Sequence, residues 1–586
     1  MGWPPTDLKA RTGELTPPGI SFWAAVKISW ERVVLSTGVE TGAVGEADKT
    51  GSADGGTEPW SILTQKRADP LSLCKFVWHW RGLMAASLAA SEAPSGGTTQ
   101  VAAIDWQRLA GQCRRLLPKR AVIAARQELL AYDCDGLTLH RYQPPLVVLP
   151  ETTEQVAAVV RLCHQHGIPF VARGSGTGLS GGAMAENPAL VIGTSRMRTI
   201  LNVDLANRRI TVQPGVINSW VTRAVSGQGF YYAPDPSSQV ACSIGGNVAE
   251  NSGGVHCLKY GVTSNHVLAL EVVLPDGTIT TLGGELAEMP GLDLRGVFIG
   301  SEGTLGITTA VTLRLLRDPE SVAVLLADFA SMEAAGEAVT AVTAAGVLPA
   351  GMEMMDRLCI EALNAYFGTD EYPPDAAAVL LIELDGQEQE VAAAVNLASE
   401  LCRQAGARTI REARAAEQRA LLWKGRKSAI SALGRRFPNY YLQDGVVPRG
   451  SLPQVLAAIE RLSASHGLPV ANVFHAGDGN LHPLILYRAG EPGVAERVEA
   501  LGAAILRLCI DAGGSITGEH GVGIDKRCYM DWMYSPDDLA TMTLVRQAFD
   551  PAGLANPGKL FPTPAGCAES LRRRPEIPGA AGLEVF

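Results

Sequence analysis

Five glycines fall within ten residues at Arg173-Gly-Ser-Gly-Thr-Gly-Leu-Ser-Gly-Gly182, and no other stretch constrains the fold as much. Backbone without Cβ atoms can curl so that successive N–H groups point at one anion. Gly176, Gly178 and Gly181 also satisfy the GxGxxG spacing of a dinucleotide loop. In a Rossmann fold that loop opens directly into a helix whose N-terminus faces the pyrophosphate. Here Gly182-Ala-Met-Ala-Glu-Asn-Pro188 is a poor helix former and leads into the apolar run Leu190-Val-Ile192. The Rossmann reading fails on this context. Taken alone, the loop reads equally as a flexible surface segment. Four similar segments follow it, at Pro234–Gln239, Gly245–Gly254, Lys259–Gly261 and Gly300–Gly306. A long, two-ended ligand needs several such close backbone approaches.

Local patterns around the loop are regular. Thr152 and Gln155 suit a capping box, and Val156, Val159, Val160 and Cys163 then follow a helical period that stops at Gly167. A strand is expected at Pro169–Ala172. Others are expected at Arg209–Gln213, Leu268–Leu274, Thr278–Leu282 and Thr308–Leu315, with Pro275-Asp-Gly277 as a turn. After Pro319, strands such as Ala323–Phe329 and Val379–Leu384 alternate with Ala-rich helices, which indicates a second α+β domain. Helices are expected at Leu452–Ser465, opened by Ser451 and Gln454, and at Ala495–Ala512.

The second strong constellation is Asn472-Val-Phe-His-Ala-Gly-Asp-Gly-Asn-Leu-His-Pro483. A tight Gly477-Asp-Gly479 turn between two short strands brings His475 and His482 towards one ion. Glu519, in Thr517-Gly-Glu-His-Gly-Val-Gly523, is a third candidate ligand. Two imidazoles and one carboxylate form an open site for zinc, manganese or iron. A lone strand histidine is more often a packed residue. Three of only ten histidines (His475, His482, His520) in two glycine-rich motifs favour the metal. A divalent ion bound to a hydroxyl oxygen acts as a Lewis acid and would stabilise a forming alkoxide. His520 is then placed to take the proton, with support of a ligand as its alternative role. In Leu422-Trp-Lys-Gly-Arg-Lys427, Arg426 shares a helix face with Trp423 and can pair with a carboxylate. The bland alternative is a solvated basic face.

Composition bounds the partners. The formal charge of −10 argues against nucleic acid or an anionic membrane as principal partner. Eleven cysteines are scattered without a CxxC pair, so zinc ribbons, iron–sulfur ligation and a disulfide framework are not expected, and buried thiols in a reducing cytoplasm are. No run approaches a membrane span, and Lys75 and Arg81 spoil Cys74–Leu88 as a signal peptide. The first eighty or so residues hold six of the ten tryptophans and no sustained period. They read as a disordered extension, or as residues ahead of a translation start at Met84.

The glycine-rich segments together resemble the FAD-binding domain of the vanillyl-alcohol-oxidase/p-cresol-methylhydroxylase superfamily, over roughly Pro144–Leu315. The resemblance implies an α+β fold in which Arg173, Gly174, Ser175, Gly176, Thr177, Gly178, Ser180, Gly181 and Gly182 hold the pyrophosphate. Pro234, Asp235, Ser237, Gly245, Asn247, Asn251, Gly253, Gly254, Tyr260, Gly261, Glu302, Gly303, Gly306 and Ile307 would line the rest of the flavin. Thr177 stands where some members carry a covalently attached His, so the FAD is expected to be non-covalent.

The later motifs resemble the flavin- and metal-dependent 2-hydroxy-acid dehydrogenases, whose substrate domain is similar to the stretch from about Val322 to Pro562. That resemblance implies His475, His482 and Glu519 as metal ligands, His520 as base, Arg426 as carboxylate clamp and Asn480 as a substrate contact. It also returns Asn556, in Phe549–Lys559, to the flavin. Within the family the chain is similar to the glycolate-oxidising flavin subunits, through Tyr231–Gln239, Ala249–Tyr260 and Pro438–Arg449. The D-2-hydroxyglutarate branch carries a Lys near Asp444, where this chain has Leu442 and Gln443. Glycolate is thus the expected substrate, with D-lactate the alternative. The resemblance further implies a second flavoprotein subunit, an iron–sulfur subunit, a cytoplasmic location and only indirect contact with the inner membrane face. Residues 1–100 are an unmatched extension, 101–316 the FAD domain, 317–562 the substrate domain and 563–586 a tail. Two rival readings are an alkylglycerone-phosphate-synthase-like transferase and a non-catalytic subunit of the same complex.

Overall fold

The computed structural model describes residues 104–562 apart from Leu139 and residues 287–289. The N-terminal extension, the Met84 start and the C-terminal tail lie outside the described residues.

Near-continuous apolar runs make the first sheet. Leu146–Val148, Leu190–Gly193 and Phe170–Arg173 lie parallel in that order, and Val122–Ile123 adds an antiparallel edge. Strands buried on both faces have no polar side to alternate with, which is why they read as continuous hydrophobic stretches. The crossover is the helix Thr153–His166, where the Thr152 hydroxyl accepts from the Gln155 N–H at 3.3 Å. Left-handed Gly167 ends it, and Val156, Val159, Val160 and Cys163 face the sheet. The glycine-rich loop therefore leaves the end of Phe170–Arg173 and runs, without a helix, into Leu190–Gly193.

A second, antiparallel sheet follows in the order Ile200–Asp204, Arg209–Val212, Ile307–Arg314, Val267–Val273, Ile279–Gly283. Each expected strand is present to within one residue at either end, and Gly277 makes its turn at φ 85°. The third sheet has nine strands. Its central path is Thr409–Ala413, Ser321–Phe329, Ala378–Gly386, Gly351–Asp356, Val470–His475, Asn480–Leu481 and Gly445–Val446. Helices Met332–Ala344, Glu388–Gln404, Leu452–His466 and Val494–Asp511 pack in one hydrophobic core against it. Helices Arg357–Phe367 and Ala416–Arg436 belong to a separate core that includes Val324, Val379 and Val473 of the same sheet. Ser451 makes no side-chain cap; a short 3-10 turn, Arg449–Ser451, and Pro453 in the first turn open that helix instead.

Eight described cysteines are free thiols, six buried and two half-buried, whereas Cys528 is disulfide-bonded and departs from the all-thiol expectation.

Polar clusters tie the two halves together. His256 sits between Asp235 and Glu383, 2.9 Å from each, and the Trp423 indole N–H donates to Glu383 at 2.5 Å. Beside it, the Tyr260 hydroxyl donates to Asp385 at 2.6 Å, and Lys259 pairs with the same carboxylate. The closing segment also crosses back: Phe170 N–H donates to Leu554 and Asn556 N–H to Phe170, at 2.9 and 2.8 Å. Burial disfavours the charged His256 ring, but Asp235 and Glu383 outweigh it and hold its pKa well above the ordinary value. A raised folded-state pKa contributes stability that is complete below the unfolded value of about 6.5 and lost as pH rises through the folded one. His256→Gln should therefore lose most stability, relative to wild type, in mildly acidic solution, with the gap closing in alkaline solution. Urea denaturation across that range checks this; a gap that widens with pH contradicts it.

Candidate active site

The glycine-rich segments gather around one open cleft. Arg173 to Gly178 and Gly182 form one wall, with Ser237, Gly245, Asn247 and Gly253 from the second set of segments. Glu302, Gly303, Gly306 and Ile307 close it, and apolar Leu179, Phe298, Ile430, Leu442 and Val473 complete the lining. His482, Glu519 and His520 reach the same cleft, as does Arg426. Backbone, small hydroxyls and flat apolar walls suit a cofactor with a phosphate-bearing chain and a ring. The buried Ser243 Oγ in the lining has no protein partner, as expected of a group kept for a ligand. The cleft fits FAD.

Several residues named from the sequence brace the cleft, Arg173 from its wall and others from behind it. The Arg173 guanidinium donates to the carbonyls of Cys134 and Ala183, at 2.7 and 3.4 Å, so it braces the loop. Ser180 accepts at its carbonyl from Ile524 and Asp525, and Gly181 packs on Ile524. Pro234 accepts from Asn218, Asp235 holds His256, and left-handed Asn251 accepts from Ser264 N–H. Gly254 lies against the Asp235 backbone, Gly261 against Asn265, and Tyr260 is committed to Asp385. Asn556 donates from Nδ2 to the carbonyls of Gly182 and Glu302, at 2.8 and 2.6 Å. Asn480 is buried against Gly518 with its Oδ1 unpartnered, and it does not line the cleft.

The histidine hairpin closes as its glycines require. Gly479 turns at φ 74° against the Val447 carbonyl, and His475 pairs in register with Asn480. His475 Nε2 lies 3.3 Å and His482 Nε2 3.4 Å from one Glu519 oxygen. All three ligand atoms fall within 4.8 Å of one another. Burial alone would raise the Glu519 carboxyl, yet His475 above all brings it down to about 2. Burial alone would lower His475, yet Glu353 and Glu519 raise it well above the ordinary value. The field between these carboxylates calls for positive charge, and the donor set fits a divalent cation. Asp444, His482 and His520 form a second convergent set, but backbone amides already occupy the Asp444 carboxylate. His520 stacks on His482 at 4.9 Å, and its buried Nδ1 has no hydrogen-bond partner. Burial pushes the ring pKa down to about 4, against the pull of Asp444, so the imidazole is neutral and able to accept a proton.

Two carboxylates missing from the sequence reading organise this site. Glu353, fully buried, accepts from His475 Nδ1 at 2.6 Å and from Arg426 Nε and Nη2 at 2.7 Å each. It fixes the ring of one ligand and the aim of Arg426 at once. Its signal was an acid inside the apolar strand Met352-Glu-Met-Met355, where an unpaired charge would be prohibitive. Asp444, equally buried, accepts from the N–H groups of Gly518, Glu519 and His520 and from the Thr517 hydroxyl, at 2.5–3.2 Å. Glu302 takes the next two amides, Val522 and Gly523, at 2.7 Å each.

Residues 144–283 match the family model "FAD binding domain" and residues 318–560 match "FAD linked oxidases, C-terminal domain". The chain is 49% identical to the glycolate oxidase subunit GlcD of Escherichia coli (strain K12), over 78% of this chain and 91% of that protein. It belongs to the FAD-linked oxidase family. Another family relative is a D-lactate dehydrogenase of Anaerostipes hadrus, 32% identical over 76% of this chain and 96% of its own length. The solved structure of p-cresol methylhydroxylase with substrate bound covers 79% of this chain and 98% of its own, at TM-score 0.66 and 17% identity. That likeness establishes the family's p-cresol-methylhydroxylase-type fold.

Because Asp444 is the acceptor for three successive amides, Asp444→Asn should strip the loop that carries Glu519 and His520 of its anchor. Leaving such groups unsatisfied costs about 1–3 kcal/mol. The expected result is a lower urea midpoint and a metal affinity reduced roughly 10- to 100-fold. Unchanged values for both would show that the loop holds itself.

Proposed function

We propose that this FAD-linked oxidoreductase oxidises glycolate to glyoxylate, with D-lactate as the nearest alternative substrate. One observation carries the reading: His482, Glu519 and neutral His520 open into the same cleft as the glycine-rich FAD segments. When bound, FAD supplies the two-electron acceptor and a divalent cation supplies a Lewis acid for the substrate hydroxyl. In this reading residues 101–316 hold the flavin, and residues 317–562 handle substrate and metal.

The chain's own groups have distinct tasks. His475, His482 and Glu519 hold the cation, and Glu353 keeps His475 oriented. His520, which lines the cleft, accepts the hydroxyl proton. Arg426 receives the substrate carboxylate; Glu353 takes its Nε and Nη2 and aims the guanidinium, and Nη1 is outside that pairing. Asn480 steadies the loop from behind, since it packs on Gly518 rather than on the cleft. Apolar Ile430, Leu442 and Val473 exclude water around the reacting carbon. Ile430, Leu442 and Val473 are uncharged, which supports a small monocarboxylate. One methyl group separates glycolate from D-lactate, worth only about 1–3 kcal/mol.

Electrons then leave to a partner. A second flavoprotein subunit and an iron–sulfur subunit are proposed, because this chain has no CxxC pair and its GlcD relatives are named as subunits. Contact with the inner membrane face is proposed to run through those partners; among the described residues no helix is long and apolar enough to cross a membrane.

Anaerobic mixing with glycolate should bleach the flavin visible band; absence of bleaching with any small 2-hydroxy acid sinks the proposal. His475→Ala and Glu519→Gln should lower turnover by about 10²–10³-fold or more, the scale of a lost electrostatic catalyst, while flavin content stays at the wild-type level. Loss of flavin from both variants would mark these side chains as structural. Because Thr177 offers no covalent attachment, acid precipitation should leave a colourless pellet and a yellow supernatant.

A further inference from the structure

Glu250 and Glu302 are two carboxyls in one wall of the cleft, the first half-buried and the second buried, and their surroundings differ. Glu302 is saturated: each oxygen accepts a backbone N–H at 2.7 Å. Glu250 ends the helix Ile244–Glu250, and its Oε2 is fully buried without a partner. Both converge on one point. A side chain begun at Gly521 would meet Glu250 Oε2 at 2.4 Å and Glu302 Oε1 at 2.9 Å. One begun at Gly182 would meet Glu250 Oε1 at 2.7 Å.

Two carboxylates converging on one point do not readily both ionise. The nearby charges do not reverse this. Lys526 Nζ is shared among Asp444, Thr517 and the Gly521 carbonyl, and Lys559 Nζ is given to the Met184 carbonyl. Asp135 adds a third buried acid. Glu302 has two fixed amide donors that favour its anion; Glu250 has none, so the proton rests on Glu250. Burial first, and the neighbouring Glu302 charge next, raise the Glu250 carboxyl well above the usual carboxylate range.

We infer that Glu250 stands in the cleft as a neutral carboxylic acid and donates a hydrogen bond to the bound flavin. Its neighbours decide between flavin and substrate. Gly182 belongs to the glycine-rich loop and Glu302 to the Gly300–Gly306 segment, and Asn556 bonds the carbonyls of both. The substrate-side groups His475, His482 and Arg426 are bound to other carboxylates, Glu353, Glu519 and Asp444. A buried donor favours the more electron-rich reduced ring over the oxidised one, so Glu250 raises the cofactor's reduction potential.

The inference rests on flavin occupying this cleft, and the visible spectrum of the purified full chain reports that separately. A wild type that takes up no FAD sinks both readings; a yellow wild type isolates the role of Glu250. The decisive measurement is the reduced-minus-oxidised infrared difference spectrum of the FAD-loaded protein. A protonated-carboxyl C=O band that shifts on reduction in wild type and is missing from Glu250→Gln is expected. Potentiometry should give Glu250→Gln, still neutral and still a donor, the wild-type potential, and Glu250→Leu a lower one. A band that persists in Glu250→Gln overturns the inference. So does a raised potential in Glu250→Gln, the mark of a deleted negative charge, or a changed KM for glycolate with no change of potential in either variant. If Glu250→Leu fails to fold, the infrared band and the Glu250→Gln potential decide alone.

Discussion

Two buried carboxylates, reaching one loop from opposite sides, hold this structure's chemistry in place. Asp444 takes the amides of Gly518, Glu519 and His520, and Glu302 takes those of Val522 and Gly523. Asp444 comes from the nine-stranded half and Glu302 from the flavin half, so the loop is pinned between them. Buried backbone N–H groups must be paired, and anionic acceptors pair them more strongly than neutral ones. Glu519, the proposed ligand, and His520, the proposed base, are adjacent in sequence and are thereby held without any regular secondary structure.

A common logic runs through Arg426, Lys526 and the histidines: each has a buried carboxylate beside it. Glu353 stands behind both His475 and Arg426, and Asp444 behind Lys526 and the histidine pair. Isolated burial of any one of these charges would be very costly, whereas networks that satisfy each other are affordable and stiff. The cost is a site that tolerates little piecemeal substitution, since removing one member strands its neighbours.

Much of this was legible beforehand because it depended on local chemistry. The glycine loop, its lack of a following helix, the capped helix at Thr152 and the antiparallel strands around Pro275-Asp-Gly277 all follow from propensity and period. The His475–His482 hairpin was legible because Gly479 has to turn there. What escaped was long-range pairing. Glu353 meets Arg426 and His475 across 73 and 122 residues, and no local pattern announces such partners. For the same reason Tyr260, assigned to the flavin, is found on a distant carboxylate, and Arg173, which does line the cleft, also braces two carbonyls. Sequence gave the residue type needed nearby, and tertiary contacts decided which atoms it would serve.

The return of residues 554–556 to Phe170 has a consequence for biogenesis. The first sheet is among the earliest parts of the described chain to leave the ribosome, yet its neighbour along Phe170 is among the last, and Asn556 closes the carbonyls beneath the glycine loop. A nascent chain therefore owns only an unfinished cradle. Cofactor capture belongs to the released polypeptide, and a truncation of a few dozen residues at the far end would injure the flavin pocket before it touched any residue that handles substrate.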